Sequence, residues 1–553
     1  MLNPLFEVPE LLQAILERLE SPRDAGRLAC ACRNLFNSCI PFAWKRVKST
    51  TQLLSLLPGV TISKGGGANI VVVELPKLLT EADLSRFRFY ATFVNTLNMF
   101  ESTDESMYWI LLNWEWIFSH SRVQPLLPNL HTLTFANWYV AERRRPANIW
   151  FTLFLSPQLS TFESAKISDF PTCFSFSESQ FVLSAIADMC PRIHTLGFLA
   201  LAASWANSTF MLPPDMDHTL YYRYNPGPLF SQMEHLKTLR VEIATLESLF
   251  SGGLFAVEWL EVNMGFKLTN EQLPFDSFPY LKHFGIFNCV HTLVPTLPSC
   301  VTPLTSLQLH FGYLPNDIRE ILSKIAEYNP CLLDLSIHPF HDPTYVSDTE
   351  NRRWPLLEVA TLEPLARLLR LERFCLSDMI VVSPSQDAAE VLSYIGGLLP
   401  SLRVLEIPHQ VIPLSKLSKV VLQLPRLECL SSTVTELGIV GQPRLDQPTS
   451  ALRILESEFD RGFVRAARKN KLTQDADLKI AGYLASLCVN VQILNRPSRN
   501  WKYSLEESVS ASRLIASINN HLSVLAPQCL TPYKNATYPT SQTPWQLLRK
   551  DMR

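Results

Sequence analysis

Pro128-Asn129-Leu130-His131-Thr132-Leu133-Thr134-Phe135 and Pro191-Arg192-Ile193-His194-Thr195-Leu196-Gly197-Phe198 are two copies of one pattern: a turn that opens on proline, then Leu-x-x-Leu-x-apolar. The first apolar residue marks a bend. The next residues alternate, so that every second side chain falls on one face of a short strand. The series continues through Leu236–Val241, Val257–Val262, Leu281–Ile286, Leu304–Leu309, Leu332–Ile337, Leu371–Leu376, Leu402–Ile407, Leu427–Leu430, Leu452–Leu455 and Val491–Leu494. Looser versions stand at Val94–Met99 and Leu159–Phe162. Equivalent leucines are often about 21–31 residues apart, with longer steps near 36–43. The short steps lie near the range of about 20–29 residues used by short strand–helix repeats, and the long ones imply insertions.

Between these copies the apolar period changes from 2 to 3.6. Ile318, Ile321, Leu322 and Ile325 mark one helix on 316–328, and further helices are expected on 360–369, 387–399, 414–424 and 476–487. A strand–helix unit leaves one face unburied until a neighbour stacks on it, so stability accumulates by nearest-neighbour contact. The expected fold class is therefore α/β: a solenoid with parallel strands on a concave face and helices outside. A mixed α/β domain of ordinary topology is the alternative.

The first fifty residues differ from this array. Pro9 suits the first turn of a helix. Leu11, Leu12, Ile15, Leu16 and Leu19 follow at helical spacing. Ser21-Pro22 ends that helix, and Ser21 or Asp24 is placed to cap the next. Leu28, Cys32, Leu35 and Phe36 form a second stripe on residues 24–38, Pro41 breaks the chain, and Phe42 and Trp44 add two large apolar groups. Three short helices carry more apolar surface than about 40 residues bury alone. One reading is that they cap the array.

The order Pro9-Glu10-Leu11-Leu12, Ile15-Leu16-x-x-Leu19, Leu28, Cys32-Arg33, Pro41 and Trp44 resembles an F-box, over about residues 6–48. Val8, Ala31 and Ala43 depart from the residues usual in that family, and Gly26 sits early in the second helix. The array resembles the irregular leucine-rich repeats joined to F-boxes in fungal and plant proteins, although the Asn that usually follows the strand is mostly missing. The resemblance implies that the head docks a Skp-type adaptor, and through it a cullin–RING ubiquitin ligase, while the repeats hold a target protein. It implies adaptor contacts at Val8, Pro9, Leu12, Ile15, Leu16, Leu28, Cys32 and Trp44. A repeat scaffold that binds proteins without a ligase is the alternative.

The expected division is a head (1–48), a transition with the first irregular repeats (49–127), the repeat array (128–525) and a Pro-, Thr- and Ser-rich tail (526–553). Within the transition, Gln52–Leu57 reads as helix, Pro58-Gly59 as a turn, the triplet Gly65-Gly66-Gly67 as a plain loop, Ile70–Val73 as a buried strand and Glu105–Ser119 as an aromatic helix. Leu505–Leu522 reads as a helix sealing the open end of the array.

Of the 553 residues, 47% are apolar and 18% charged, which suits a large packed core rather than a solvated chain. A net charge of -2 argues against broad electrostatic binding to nucleic acid or membrane. No apolar run reaches the ~18 residues of a membrane span, and the acidic start is unlike a secretory signal. The 12 cysteines, scattered in apolar context, suit a reducing compartment. Together these point to an intracellular protein, cytoplasmic or nuclear. No ordered nucleophile–base set, metal-spaced cluster or phosphate loop is present in the sequence, so neither enzyme activity nor a cofactor or metal is expected. Cys30-x-Cys32 with Cys39 reads as packing, the pair His338 and His341 as a loop, and the runs Arg143–Arg145 and Arg461–Lys471 as surface. Target contacts are expected on the strands and just after them, with Arg240 and Glu242, His310, His338 and His341, Asp378 and His409 as candidates.

Overall fold

A computed structural model describes residues 8–19, 21–64, 70–77, 79–99, 108–135, 148–164, 176–200, 227–243, 256–264, 278–289 and 304–311. It continues with 318–339, 355–377, 379–385, 387–435, 451–459, 474–488, 491–495 and 515–524. The glycine triplet, Arg143–Arg145, His341, Asp378, residues 461–471 and the tail lie outside the described residues. The chain divides into two compact units, Met1–Glu271 with Ser277–Tyr280, and Gln272–Asp276 with Leu281–Arg553.

The first unit opens with helices α1 (Pro9–Arg18), α2 (Pro22–Ala29) and α3 (Arg33–Trp44). Pro9 and Pro22 each stand in the first turn, where a missing N–H costs nothing. The Ser21 hydroxyl accepts from the Arg23 N–H at 3.1 Å, and the Cys32 thiol from the Leu35 N–H at 3.5 Å. These caps split the stripe expected on residues 24–38 into two helices, because Cys30–Cys32 turn the chain between them. Pro41 does not break the chain. It lies inside α3, and the packing of Phe42, Ala43 and Trp44 against the head's core offsets the lost hydrogen bond.

The strands of this unit are β1 (Arg46–Val47), β2 (Thr61–Lys64), β3 (Ile70–Glu74), β4 (Thr96–Asn98), β5 (Tyr108–Leu112), β6 (Thr132–Phe135), β7 (Thr161–Ser164), β8 (Thr195–Ala200), β9 (Thr238–Ile243) and β10 (Trp259–Met264). Helices α4 (Thr50–Leu54), α5 (Ser85–Ala91), α6 (Glu115–Val123), α7 (Asn148–Leu153) and α8 (Phe176–Met189) lie between them. Strands β1-β4-β6-β7-β8-β9-β10 pair in that order, all parallel. β2, β3 and β5 make a small separate sheet after the Pro58-Gly59 turn, where Gly59 takes a φ of 74°. The aromatic helix expected on 105–119 is therefore corrected: residues 108–112 are strand, paired with β3, and only the later part is α6. Asn113, at a φ of 57°, makes the turn, and its side chain donates to the Leu75 carbonyl at 2.9 Å.

In the second unit, β11 (His283–Cys289), β12 (Ser306–Phe311), β13 (Asp334–Pro339), β15 (Arg373–Leu376), β17 (Val404–Pro413), β18 (Cys429–Thr435), β19 (Ile454–Phe459) and β20 (Gln492–Asn495) pair in sequence, again all parallel. β14 (Leu356–Glu358) and β16 (Ile380–Val382) form a side ribbon. The segment expected as a helix on 360–369 is a 3-10 helix, Val359–Arg367, in which Pro364 disfavours regular α-helical bonding.

Every copy of the repeat pattern supplies one strand, and the register aligns the second Leu of each copy. In the first unit Leu97, Leu133, Phe162, Leu196, Leu239 and Leu260 are successive partners. In the second the row runs Phe284, Leu307, Leu335, Phe374, Leu405, Leu430, Leu455 and Ile493. None of these is more than 5% exposed, and each full burial contributes roughly 1.5–3 kcal/mol. Helices cover this face: on Ile318–Tyr328 the residues Ile318, Ile321, Leu322, Ile325 and Ala326 are buried.

The first Leu of the pattern starts a second regularity. The carbonyl of the residue after it accepts two N–H bonds from the following copy. Asn95 O takes those of His131 and Thr132, His131 O those of Ser160 and Thr161, and Glu372 O those of Arg403 and Val404, at 2.8–3.0 Å. This shared acceptor repeats along both units and pins each strand's start to its neighbour's.

Candidate functional site

Two surfaces bring functional side chains together. The first is the outer face of α1. Leu12 and Leu16, each 4% exposed, point into a core with Ala25, Ala29, Leu35, Cys39 and Ile40. One position before each of them, Leu11 and Ile15 face outward at 44% and 37% exposure, joined by Val8 at 41%. Leu28, Cys32 and Trp44 are half-buried against the same core. Trp44 also meets Tyr90 just C-terminal of mid-α5, ring centroids 4.5 Å apart, and Phe36 stacks towards Phe89 at 6.3 Å. Of the eight residues expected to contact an adaptor, Val8 and Ile15 are presented, Leu12 and Leu16 hold α1 in place, and Pro9 starts the helix. Leu11, left out of that set, is the most exposed of the row. Helical spacing alone joined Leu11, Leu12, Ile15 and Leu16 in one stripe and did not say which edge faces the core.

The second surface is the face of the strands opposite the leucine row, built from the residues either side of the second Leu. In the first unit Arg240 stands between two acids, 3.2 Å from Glu163 on β7 and 3.0 Å from Glu261 on β10. Glu163 is two strands away. The intervening position on β8 is Gly197, where an added Cβ would come 3.0 Å from the Glu163 Cβ and 3.2 Å from its Cα. A side chain there would crowd the acid that Arg240 reaches for.

The second unit repeats the arrangement on adjacent strands. Arg373 donates to Asp334 at 2.7 Å, to the Ser336 hydroxyl at 2.7 Å and to Glu406 at 3.0 Å. Burial opposes the charge on Arg373, but Glu406 and Asp334 outweigh it and hold the guanidinium well above the usual arginine range. Asp334 also accepts from Ser306 at 3.3 Å, and Ser306 meets His283 Nδ1 at 2.8 Å, so a polar chain crosses five strands. Next to it Phe287, His310 and His338 stack in a half-buried column with centroids 4.2 and 4.3 Å apart. Gln308 meets His310 Nε2 at 2.6 Å, and His338 Nδ1 meets the Ser377 hydroxyl.

The structure thus joins His310 to His338 and gives Arg240 the partners Glu163 and Glu261. His409 is half-buried at a distance in sequence from the stack, on β17. Asp334, Arg373 and Glu406 were missed by sequence reasoning. The signal was present: Asp334 and Arg373 precede the second apolar residue of their copies and Glu406 follows it, and aligning the copies places Asp334 beside Arg373 with Glu406 two positions further along the same face. Among the described residues no three His, Cys, Asp or Glu side chains gather as a metal site requires, and no helix is long and apolar enough to cross a membrane.

No family model matches this chain, and no curated protein does. Among solved structures, the leucine-rich repeat-containing protein LegL7 from Legionella pneumophila aligns over 54% of this chain and 95% of its own, at 13% identity and a TM-score of 0.31. At that score the likeness adds nothing to what the strands themselves display. What the described residues define is a mixed α/β protein in which leucine-rich units each add one strand to a parallel sheet.

Proposed function

We propose that the chain is a substrate-recognition subunit of a Skp–cullin–F-box ubiquitin ligase, with the helical head as an F-box-like adaptor-binding domain and the repeats as a solenoid that holds a protein target. The observation that carries this reading is the outward row Val8, Leu11 and Ile15 on a helix anchored from within by Leu12 and Leu16. An apolar row on a buttressed helix suits a contact that a partner buries, and it coincides with the F-box-like residue order. The strand face supports the second half: polar side chains already held in fixed geometry offer a partner surface that needs little ordering on binding. Such a protein makes no bond itself. It raises the local concentration of the target near the ligase.

The test is co-purification of the full chain with a recombinant Skp-type adaptor. Ile15→Asp, or Leu11→Asp with Ile15→Asp, places carboxylates in the buried contact and is expected to abolish co-purification, with circular dichroism unchanged. Capture of the double variant at the wild-type level would leave the scaffold that works without a ligase as the better reading.

A further inference from the structure

Trp44 closes α3, and the side of α3 on which it stands is aromatic. Phe36, Ile40 and Trp44 recur every fourth residue, which puts them on one side of the helix. That side meets α5, a helix of the array. Trp44 lies 4.5 Å from Tyr90, Phe36 stacks towards Phe89 at 6.3 Å, and Phe93 stands edge-on to Phe89 at 5.3 Å. Tyr90 and Phe93 thereby pack against the head's core. The backbone joins the two elements a second time. α3 ends at Trp44 and β1 begins at Arg46. Lys45, the residue between them, accepts the N–H groups of Asn95 and Thr96, each at 3.0 Å. This is the same shared acceptor that pins the array's later strands. Arg46 and Val47 then pair with Thr96 and Leu97 on β4. α3–β1 therefore repeats the helix–strand order of α5–β4 beside it, and the head lies in one compact unit with β1–β10.

We propose that α3 is the first helix of the array as well as the last of the head, and that Trp44 is a positioning residue. Seated on Tyr90, it fixes the adaptor-binding face of α1 relative to the strand face of the first unit. Ring contacts hold α3 before Lys45 and strand pairing holds the chain after it, so no linker is left in which the head could turn. The direction in which a bound protein is presented to the adaptor is then built into the fold. This takes Trp44 out of the set of adaptor contacts that the F-box resemblance implies. The proposal rests on the reading of α1 as an adaptor site only for what the head carries; the coupling is a property of the chain alone.

The experiment measures the distance distribution between two spin labels on the full-length chain, one at the exposed Gln13 on α1 and one at the exposed Ser184 on α8. The labels are attached through a ketone-bearing amino acid, which leaves the native cysteines untouched. The wild type is expected to give one narrow peak. Trp44→Ala and Tyr90→Ala should each spread that peak, while the unlabelled variants are captured by a recombinant Skp-type adaptor at the wild-type level. Trp44→Phe, which keeps a ring on Tyr90, should restore the narrow peak. Should Trp44→Ala disturb α3 itself, Tyr90→Ala tests the same contact from outside the head. If the adaptor does not bind the wild type, the reading of α1 fails, and the peak widths still decide the coupling. A narrow peak in Tyr90→Ala would overturn the proposal. So would loss of adaptor capture in Trp44→Ala with the peak unchanged, which would return Trp44 to the adaptor contacts.

Discussion

Along α1 apolar side chains divide between core and solvent at adjacent positions, Leu11 against Leu12 and Ile15 against Leu16. On the strand face of the second unit it is charged side chains that lie buried: Arg373 is 9% exposed and Glu406 5%. The head keeps apolar groups outside, where they cost solvation, and the sheet keeps ions inside, where they cost more. Neither arrangement is the cheapest for folding alone. The difference teaches that the row that packs the core and the row beside it carry opposite chemistry in the two regions. In the head, the inner row holds the helix and the outer row stays exposed. In the sheet, the leucine row holds one face, and the charged row is fixed on the other.

Removing Arg373 should break this comparison hardest. Arg373→Ala leaves Asp334 and Glu406 buried without their cation, at a cost of about 3–5 kcal/mol in denaturant unfolding. Leu16→Ala should come next. Emptying a buried leucine site costs about 2–4 kcal/mol, and hydrogen exchange should place the loss in α1–α3 rather than in the strands. Arg240→Ala belongs below these, at roughly 1–3 kcal/mol, because its partner Glu163 is 31% exposed and water replaces part of the lost contact. An equal loss at Arg240 and Arg373 would show that exposure does not separate the two acid–arginine–acid rows.

A smaller effect is expected at Asp387, which caps the helix Ala388–Leu398. It accepts from Lys416 at 2.7 Å and from the Ala389 N–H at 2.9 Å, and these bonds hold its carboxyl below the usual carboxylate range. Asp387→Ala should cost about 1 kcal/mol as a lost cap. Since the folded-state value is depressed, this stabilisation is complete above about pH 4 and fades as the pH falls through the folded value. A melting temperature measured against pH should therefore converge for wild type and Asp387→Ala in acid. Smallest of all is the effect of Ile15→Asp on folding, expected within about 0.5 kcal/mol of wild type. On the proposed reading that change acts on binding alone.

Much of this was legible in the chain. Each Leu-x-x-Leu copy from Val94–Met99 to Val491–Leu494 became a strand, because alternate leucines need a shared core and the turn before them fixes the register. What failed to show was long-range. Tyr108–Leu112 has the aromatic density of a buried helix, and only pairing with β3 and the left-handed turn at Asn113 make it a strand. Pro41 looked like a break because the packing that sustains α3 past it comes from elsewhere in the head. The charged row was hidden for the same reason. Asp334, Arg373 and Glu406 are dozens of residues apart, and only strand register unites them. Leu11 and Ile15 shared a stripe with Leu12 and Leu16 until α2 and α3 supplied an inside.

The central claim is that α1 offers its outer row to a Skp-type adaptor. Hydrogen exchange on the full chain, alone and saturated with that adaptor, tests it most directly. The account predicts new protection confined to residues 8–18 and the neighbouring head helices, absent in Ile15→Asp, with the exchange of β6 and β13 unchanged. Unchanged exchange along α1 in the presence of the adaptor, or protection that survives in Ile15→Asp, would contradict it.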